Sequence, residues 1–178
     1  TVISQTRIEF EKRLHEFGVS YRMHDREFYV ISKQSDSGNH LTVQLISSMP
    51  VEKLVHGSKN GNDVQAIGLF KFKLISSEQE PVIFAFAFQN SFKNQVEIII
   101  IPTLEFLRRH VKMKSQRPCH KRIELVLWFM EDGFVYDATN ISLESEWYFL
   151  SKGVGGRMAD GTDLDFTSFL DSWERLKL

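Results

Sequence analysis

The sequence predicts a single α/β domain, residues 1–178, in which helices flank a central mixed sheet. Three observations lead to this fold class. Residues 82–88 and 96–101 are almost continuously apolar, which is typical of strands covered on both faces. Residues 69–75 alternate apolar and charged side chains with the period of a strand that borders water. The first and last segments carry apolar residues at helical spacing.

The composition is that of one soluble domain without a global charge bias. Its 178 residues are 42% hydrophobic and 12% aromatic, which is enough apolar surface for a core. The 22 Lys and Arg nearly balance the 23 Asp and Glu, so any nucleic-acid site must be local. Cys119 is the only cysteine, which excludes an intramolecular disulfide and a cysteine-based zinc finger.

No segment has the length of a membrane span or the pattern of a secretory signal. The longest apolar runs are far shorter than the roughly 20 residues that a transmembrane helix needs. The first ten residues include Arg7 and Glu9 and lack the apolar core of a signal peptide. We therefore expect a cytoplasmic protein with no membrane partner.

A helix is predicted at the start of the chain. Thr6 and Glu9 have the spacing of a capping box, and Gly18 stands where a C-cap is expected. The apolar residues at helical spacing between these signals predict one face packed on a sheet; they are Ile3, Phe10, Leu14 and Phe17.

Strands follow the helix. Residues 27–32 and 41–47 have strand composition, and the polar turn residues 33–40 between them predict a hairpin. The polar segment 50–63 is predicted to be a loop, or a short helix followed by a loop, before strand 69–75.

The second half alternates strands with helices. Pro102 ends strand 96–101, and Thr103 is predicted to cap a helix whose apolar face carries Leu104, Leu107 and Val111. Strand 123–130 is predicted to turn at residues 131–133 into a return strand, 134–136.

The end of the chain is predicted to be a short strand, 147–150, and a final helix. Asp163 or Asp165 would cap this helix. Its helically spaced apolar residues are Phe166, Phe169, Leu170, Trp173 and Leu176.

Three features carry a family resemblance over roughly residues 6–111. Asp25 stands just before strand 27–32, Gln44 lies within strand 41–47, and the apolar strands lead through Pro102 into a helix. This order of elements resembles the restriction-endonuclease-like fold of the PD-(D/E)XK nuclease superfamily. The resemblance implies a restriction-endonuclease-like central mixed sheet flanked by helices.

The resemblance also implies a candidate catalytic centre, but with substitutions. Members of that family use an acid near the first strand and an acidic-x-Lys on the next strand to bind a divalent metal and activate water. Here Asp25 matches the first acid, Gln44 replaces the second, and Ile46 replaces the lysine. Glutamine is a weaker metal ligand, and isoleucine can neither donate a proton nor orient water. The family chemistry is therefore lost, or it has migrated to Glu9 of the first helix.

Other residues that could have received the migrated chemistry are Lys71 and Lys73 on the neighbouring strand. The catalytic candidates are thus Asp25, Gln44 and Glu9. Mg²⁺ is the implied cofactor only if a rearranged centre is active, and the sequence leaves the metal ligands undefined.

The densest positive charge in the sequence lies between Leu107 and Ile123, where no acid interrupts it. Lys and Arg density is what contacts to phosphate require, so these residues are the candidate contacts to DNA or RNA. The favoured interpretation is instead a solvated helix end and loop with cations near the helix C-terminus. The residues are Arg108, Arg109, Lys112, Lys114, Arg117, Lys121 and Arg122.

Other motifs are incomplete. The glycine-rich segment 153–161 lacks the Gly-Lys-Ser/Thr of a phosphate-binding loop, and the nearby acids are explained by helix capping. No two histidines have the helical spacing of a zinc-protease pair.

The leading hypothesis is a restriction-endonuclease-like protein with a degenerate catalytic centre that binds nucleic acid. One alternative is an active metal-dependent nuclease with a rearranged site. The other is a structural or interaction protein with no nucleic-acid role.

Overall fold

The structure of the protein is a computed structural model. The structure describes residues 2–32, 40–49, 64–74, 81–91, 93–110, 122–139 and 164–177. The elements in chain order are α1 (Val2–Glu16), β1 (Tyr21–Asp25), β2 (Phe28–Ser32), β3 (His40–Ser47), β4 (Val64–Lys73), β5 (Ile83–Asn90), β6 (Gln95–Pro102), α2 (Thr103–His110), β7 (Arg122–Met130) and β8 (Val135–Asp137), followed by the short 3-10 helices Thr167–Phe169 and Trp173–Leu176.

The strands form two sheets. The larger sheet has five strands in the order β1-β2-β3-β5-β6 and the smaller has three in the order β4-β7-β8. In the larger sheet only β3 and β5 are parallel, whereas the other neighbours are antiparallel. The smaller sheet is antiparallel throughout. The predicted mixed α/β class is therefore confirmed, while a specifically restriction-endonuclease-like arrangement stays a prediction.

The five-stranded sheet is the middle layer of the molecule. On one face, Phe10 and Leu14 of α1 pack in the same apolar cluster as alternate residues of β5 and β6. On the other face, the three-stranded sheet and Phe106 of α2 pack against Phe84 and Phe86. Because both faces of β5 and β6 are covered, their sequences lack alternation. The two strands are antiparallel neighbours, but only β5 is an interior strand, because β6 ends the strand order of the sheet.

The C-terminal segment covers the outer edge of β6. The Asp171 N–H donates to the Ile98 carbonyl at 2.9 Å, and Ser172 Oγ donates to the Ile100 carbonyl at 2.9 Å. Leu170 pairs with Ile99 across the same edge. Backbone groups that an edge strand leaves open are thereby satisfied.

This contact explains why the predicted final helix is wrong. The segment forms two short 3-10 helices instead of one α-helix, and Asp171 between them has a positive φ of 53°. Continuing the helix would forgo the hydrogen bonds to β6. The predicted apolar residues are nevertheless buried, with the exception of the half-buried Leu170; the buried ones are Phe166, Phe169, Trp173 and Leu176.

The first helix differs from the prediction at its start. It begins at Val2, so Thr6 lies within the helix and is fully buried. Thr6 Oγ1 lies 2.8 Å from Ser47 Oγ of β3, where it joins helix to sheet and forms no capping box. The predicted end is confirmed, because Gly18 has a φ of 69° and its N–H donates to the His15 carbonyl at 3.0 Å.

The buried face of α2 also differs from the prediction. Phe106 and His110 are buried, whereas Leu104 is 82% exposed. Thr103 Oγ1 donates to the Pro81 carbonyl at 2.7 Å and does not cap the helix. Of the apolar residues chosen from spacing, Leu107 is half-buried and packs against the core, whereas Leu104 lies off the face that contacts the sheets. Val111 lies outside the described residues.

Both predicted hairpins are confirmed. Strands β2 and β3 pair with Phe28 opposite Gln44, and β7 and β8 pair with Trp128 opposite Tyr136. Strand β1 and the first residues of β4 were not predicted from the sequence. The predicted strand 147–150, Cys119 and the glycine-rich segment lie outside the described residues. No helix of the described chain is long and apolar enough to cross a membrane.

Candidate functional site

The residues that carry the nuclease resemblance lie on different sides of the five-stranded sheet. Gln44 shares a face of β3 with Ile46, whose side chain is buried in the cluster beneath the three-stranded sheet. Glu9 belongs to α1, which covers the opposite face. Asp25 is exposed at the end of β1, where its Oδ1 accepts from the Arg26 N–H at 2.7 Å. Within the described part of the chain, no hydrogen bond or ion pair joins Asp25, Gln44 and Glu9.

Each of these side chains has a different partner. Gln44 is 3% exposed, and its Nε2 donates to Glu27 Oε2 at 3.5 Å. Glu9 Oε1 accepts from Arg13 Nε at 3.1 Å. Arg13 also binds Asp171 at 2.9 Å, so Glu9 belongs to the contact between α1 and the C-terminal segment.

Ile46 occupies the position where the family resemblance calls for lysine. Its side chain is 5% exposed and packs in the apolar core. An ammonium group there would have to be buried without a described counter-ion, which is costly. Across the described ranges, no three His, Cys, Asp or Glu side chains come together as a metal ion requires.

Glu27 is an acid near Gln44 that the sequence analysis did not select. It is exposed in the turn between β1 and β2, and its backbone carbonyl accepts from the Leu45 N–H at 2.8 Å. Its position two residues after Asp25 was visible in the sequence. Its approach to Gln44 depends on the pairing of β2 with β3.

The basic stretch begins with two arginines that already have carboxylate partners. Arg108 and Arg109 bind Glu105 Oε1 at 2.6 and 2.7 Å. Hydrogen bonds from Arg108 and, to a smaller extent, from Arg109 lower the pKa of Glu105 from 4.5 to about 2. The single carboxylate of Glu105 thus offsets one of the two positive charges with which the stretch begins.

Arg109 also joins α2 to the C-terminal segment. Its Nη1 donates to the Asp165 carbonyl at 3.0 Å, and its guanidinium lies 5.0 Å from the centre of the Phe169 ring. Only 13% of the side chain is exposed. Arg109 therefore has a packing role in the fold. Four other predicted phosphate contacts, Lys112, Lys114, Arg117 and Lys121, lie outside the described residues.

Arg122 ends the basic stretch as the first residue of β7, and it is exposed. It lies directly opposite Lys73 in the ladder between β4 and β7, and Lys71 lies opposite Glu124. Directly opposite residues share one face of a sheet. We call Lys71, Lys73 and Arg122 the cationic face.

The cationic face points away from the five-stranded sheet. The intervening residues Phe70, Phe72 and Leu125 form the opposite face, which packs in the core. Lys71 and Lys73 consequently do not approach Gln44. No described carboxylate forms an ion pair with any member of the cationic face. The sequence signal for it was the alternation of Lys with Phe in β4, but its meeting with Arg122 required the strand pairing.

A buried pair of polar side chains, His110 and Asp137, lies where α2 meets β8. His110 Nδ1 donates to Asp137 Oδ2 at 2.7 Å, and Asp137 Oδ1 accepts from the Thr139 N–H at 3.0 Å. No atom of the described chain forms a hydrogen bond with His110 Nε2. The His110 side chain is only 1% exposed, so it cannot contact a substrate in this conformation. The pair was not predicted, because no sequence signal marks Asp137 as the partner of His110.

Comparison of this chain with protein-family models, curated proteins and solved structures finds no match.

Proposed function

We propose that this chain is a cytoplasmic, restriction-endonuclease-like protein that contacts the phosphate backbone of nucleic acid and does not cleave it through a bound metal. The observation that carries the binding part is the cationic face. Three exposed cations lie together on one side of β4 and β7, and no described residue forms an ion pair with them. Such a cluster gives a nearly neutral protein a local site for phosphate.

The arrangement around Gln44 supports the absence of metal-dependent cleavage. The lysine position is a buried isoleucine, and Gln44 uses its amide to bind Glu27. Glu9 lies on the other face of the sheet. Activation of water by a divalent metal needs several oxygen ligands on one site, and these side chains do not form one.

The experiment is gel retardation and fluorescence anisotropy with a labelled duplex DNA of mixed sequence, between low and moderate salt, in EDTA and in Mg²⁺. The proposal expects binding that weakens steeply with salt, equal retention in both cofactor conditions, and an intact strand on a denaturing gel. A duplex RNA and a single strand of the same sequence show which nucleic acid is preferred.

Two outcomes separate the alternatives. Strand scission in Mg²⁺ that is lost in Asp25→Ala or Glu27→Ala would replace the proposal with the active-nuclease alternative. Lack of retardation at low salt for all three nucleic acids would favour an interaction protein. A matched control is Arg22→Glu on β1, because Arg22 is an exposed cation of the other sheet; it should bind as the wild type does.

A further inference from the structure

The pairing of β4 with β7 places two like charges directly opposite each other. Lys73 and Arg122 are the last and first residues of their strands, and both are exposed. Facing side chains of an antiparallel pair have Cβ atoms about 4.5–5.5 Å apart, and like charges at such positions destabilise the sheet. The next pair on the same face of the sheet, Lys71 and Glu124, has opposite charges.

No described carboxylate forms an ion pair with either of these two cations, although the exposed Glu124 lies on the same face of β7, two residues from Arg122. An oxyanion placed between the two cations would turn the repulsion into two attractions. Arginine can present two parallel N–H donors to such an anion, and lysine adds a mobile point charge.

We propose that Lys73 and Arg122 together form a binding site for a phosphate oxyanion, flanked by Lys71. The identification of that phosphate as part of a nucleic-acid backbone rests on the proposed function. A phosphodiester offers one non-bridging oxygen to each cation. The two like charges therefore lower the stability of the free protein and raise its affinity for phosphate.

The surroundings of the pair favour contacts to phosphate over contacts to bases. Along the outer face of β4 and β7, the residues that follow are Leu69 and Val126, then Ile67 and Trp128. Trp128 is 9% exposed, so it offers no open ring on which a base could stack. Binding at this site should therefore not depend on base sequence.

The first measurement is thermal unfolding at low salt without phosphate, using circular dichroism. Lys73→Met keeps the aliphatic stem and removes one of the two like charges. It should raise the unfolding midpoint by roughly 1–3 °C, and Lys73→Glu should raise it further by pairing with Arg122. The matched control, Lys71→Met, removes a cation that faces Glu124 and should not raise the midpoint.

The second measurement is binding. Inorganic phosphate should raise the midpoint of the wild type and leave that of Lys73→Met nearly unchanged. Duplex DNA should bind Lys73→Met more weakly, with the slope of log affinity against log salt reduced by about one. Arg122→Met should behave in the same way.

The outcomes distinguish the site from the function. If duplex binds but Lys73→Met changes neither the midpoint nor the salt slope, the site is wrong and the proposed function stands. If phosphate stabilises only proteins that keep both cations while no nucleic acid binds, the site stands and the proposed function is wrong. If neither phosphate nor duplex acts on the wild type, both are wrong.

Discussion

His110 Nδ1 donates a 2.7 Å hydrogen bond to Asp137 Oδ2, and this bond joins the end of α2 to the last strand of the smaller sheet. The His110 ring also stacks on Phe106, at 5.0 Å between ring centres. The helix in which the basic stretch begins is thus fixed to the sheet that carries the cationic face. We expect the contact to be a determinant of stability.

Asp137→Asn tests this contact. An amide NH₂ would replace one acceptor oxygen and would face either the His110 Nδ1–H or the Thr139 N–H, leaving a buried donor without an acceptor. The expected loss is about 1–3 kcal/mol of the free energy of unfolding, measured by urea denaturation. Glu131→Gln, an exposed acid of the same hairpin, is the control and should have little effect. An equal midpoint for both variants would contradict the assigned role.

Acid should weaken the contact between Glu105 and the arginines of α2. The pKa of Glu105 is lowered from 4.5 to about 2 in the folded protein. A group whose pKa is lowered by folding contributes stability at pH values above its unfolded pKa. That contribution is lost as the pH falls through the folded pKa. The contribution of Glu105 should therefore decline between about pH 5 and pH 2.

Glu105→Gln provides the measurement. Urea denaturation at pH 7, 4 and 2.5 should show the wild type losing its advantage over the variant as the pH falls. A constant difference over this range would mean that the carboxylate charge contributes nothing to stability.

Gly68 marks a close approach between the two sheets. A Cβ added there would lie 3.0 Å from the Phe70 ring and 3.2 Å from that of Phe88. Phe88 itself stacks on Phe129, with 4.6 Å between ring centres. Gly68→Ala should destabilise by about 1–3 kcal/mol, because the rings must shift. Thermal unfolding of Gly68→Ala measures this loss, and Ser168→Ala, at an exposed position, is the control. An unchanged midpoint for Gly68→Ala would show that the rings move freely.

Trp173 anchors the C-terminal segment under α1. It is 2% exposed, and its ring lies 5.6 Å from those of Phe10 and Phe17. Trp173→Ala should cost about 3–5 kcal/mol, measured as a shift of the urea midpoint. Trp173→Phe fills part of the space and should recover part of the loss. A wild-type midpoint in the alanine variant would refute the anchor.

Local sequence patterns were enough to place the buried strands β5 and β6 and both hairpins, but they did not show that β6 lies at the edge of its sheet. Continuous apolarity in 82–88 and 96–101 reports burial on two faces, and the alternation in β4 reports burial on one. These patterns depend on the local chain and on solvent exposure. They are therefore readable without knowing which segments meet.

Which polar groups contact each other depends on how distant segments of the chain pack. Thr6 has the spacing of a helix cap, but it binds Ser47. The apolar residues from Phe169 to Leu176 have helical spacing, but their segment forms hydrogen bonds with β6. Likewise, the pairings of Lys73 with Arg122 and of His110 with Asp137 join residues far apart in the chain. Local propensity is worth a fraction of a kcal/mol per residue, so contacts between distant segments override it, and a single sequence does not record those contacts.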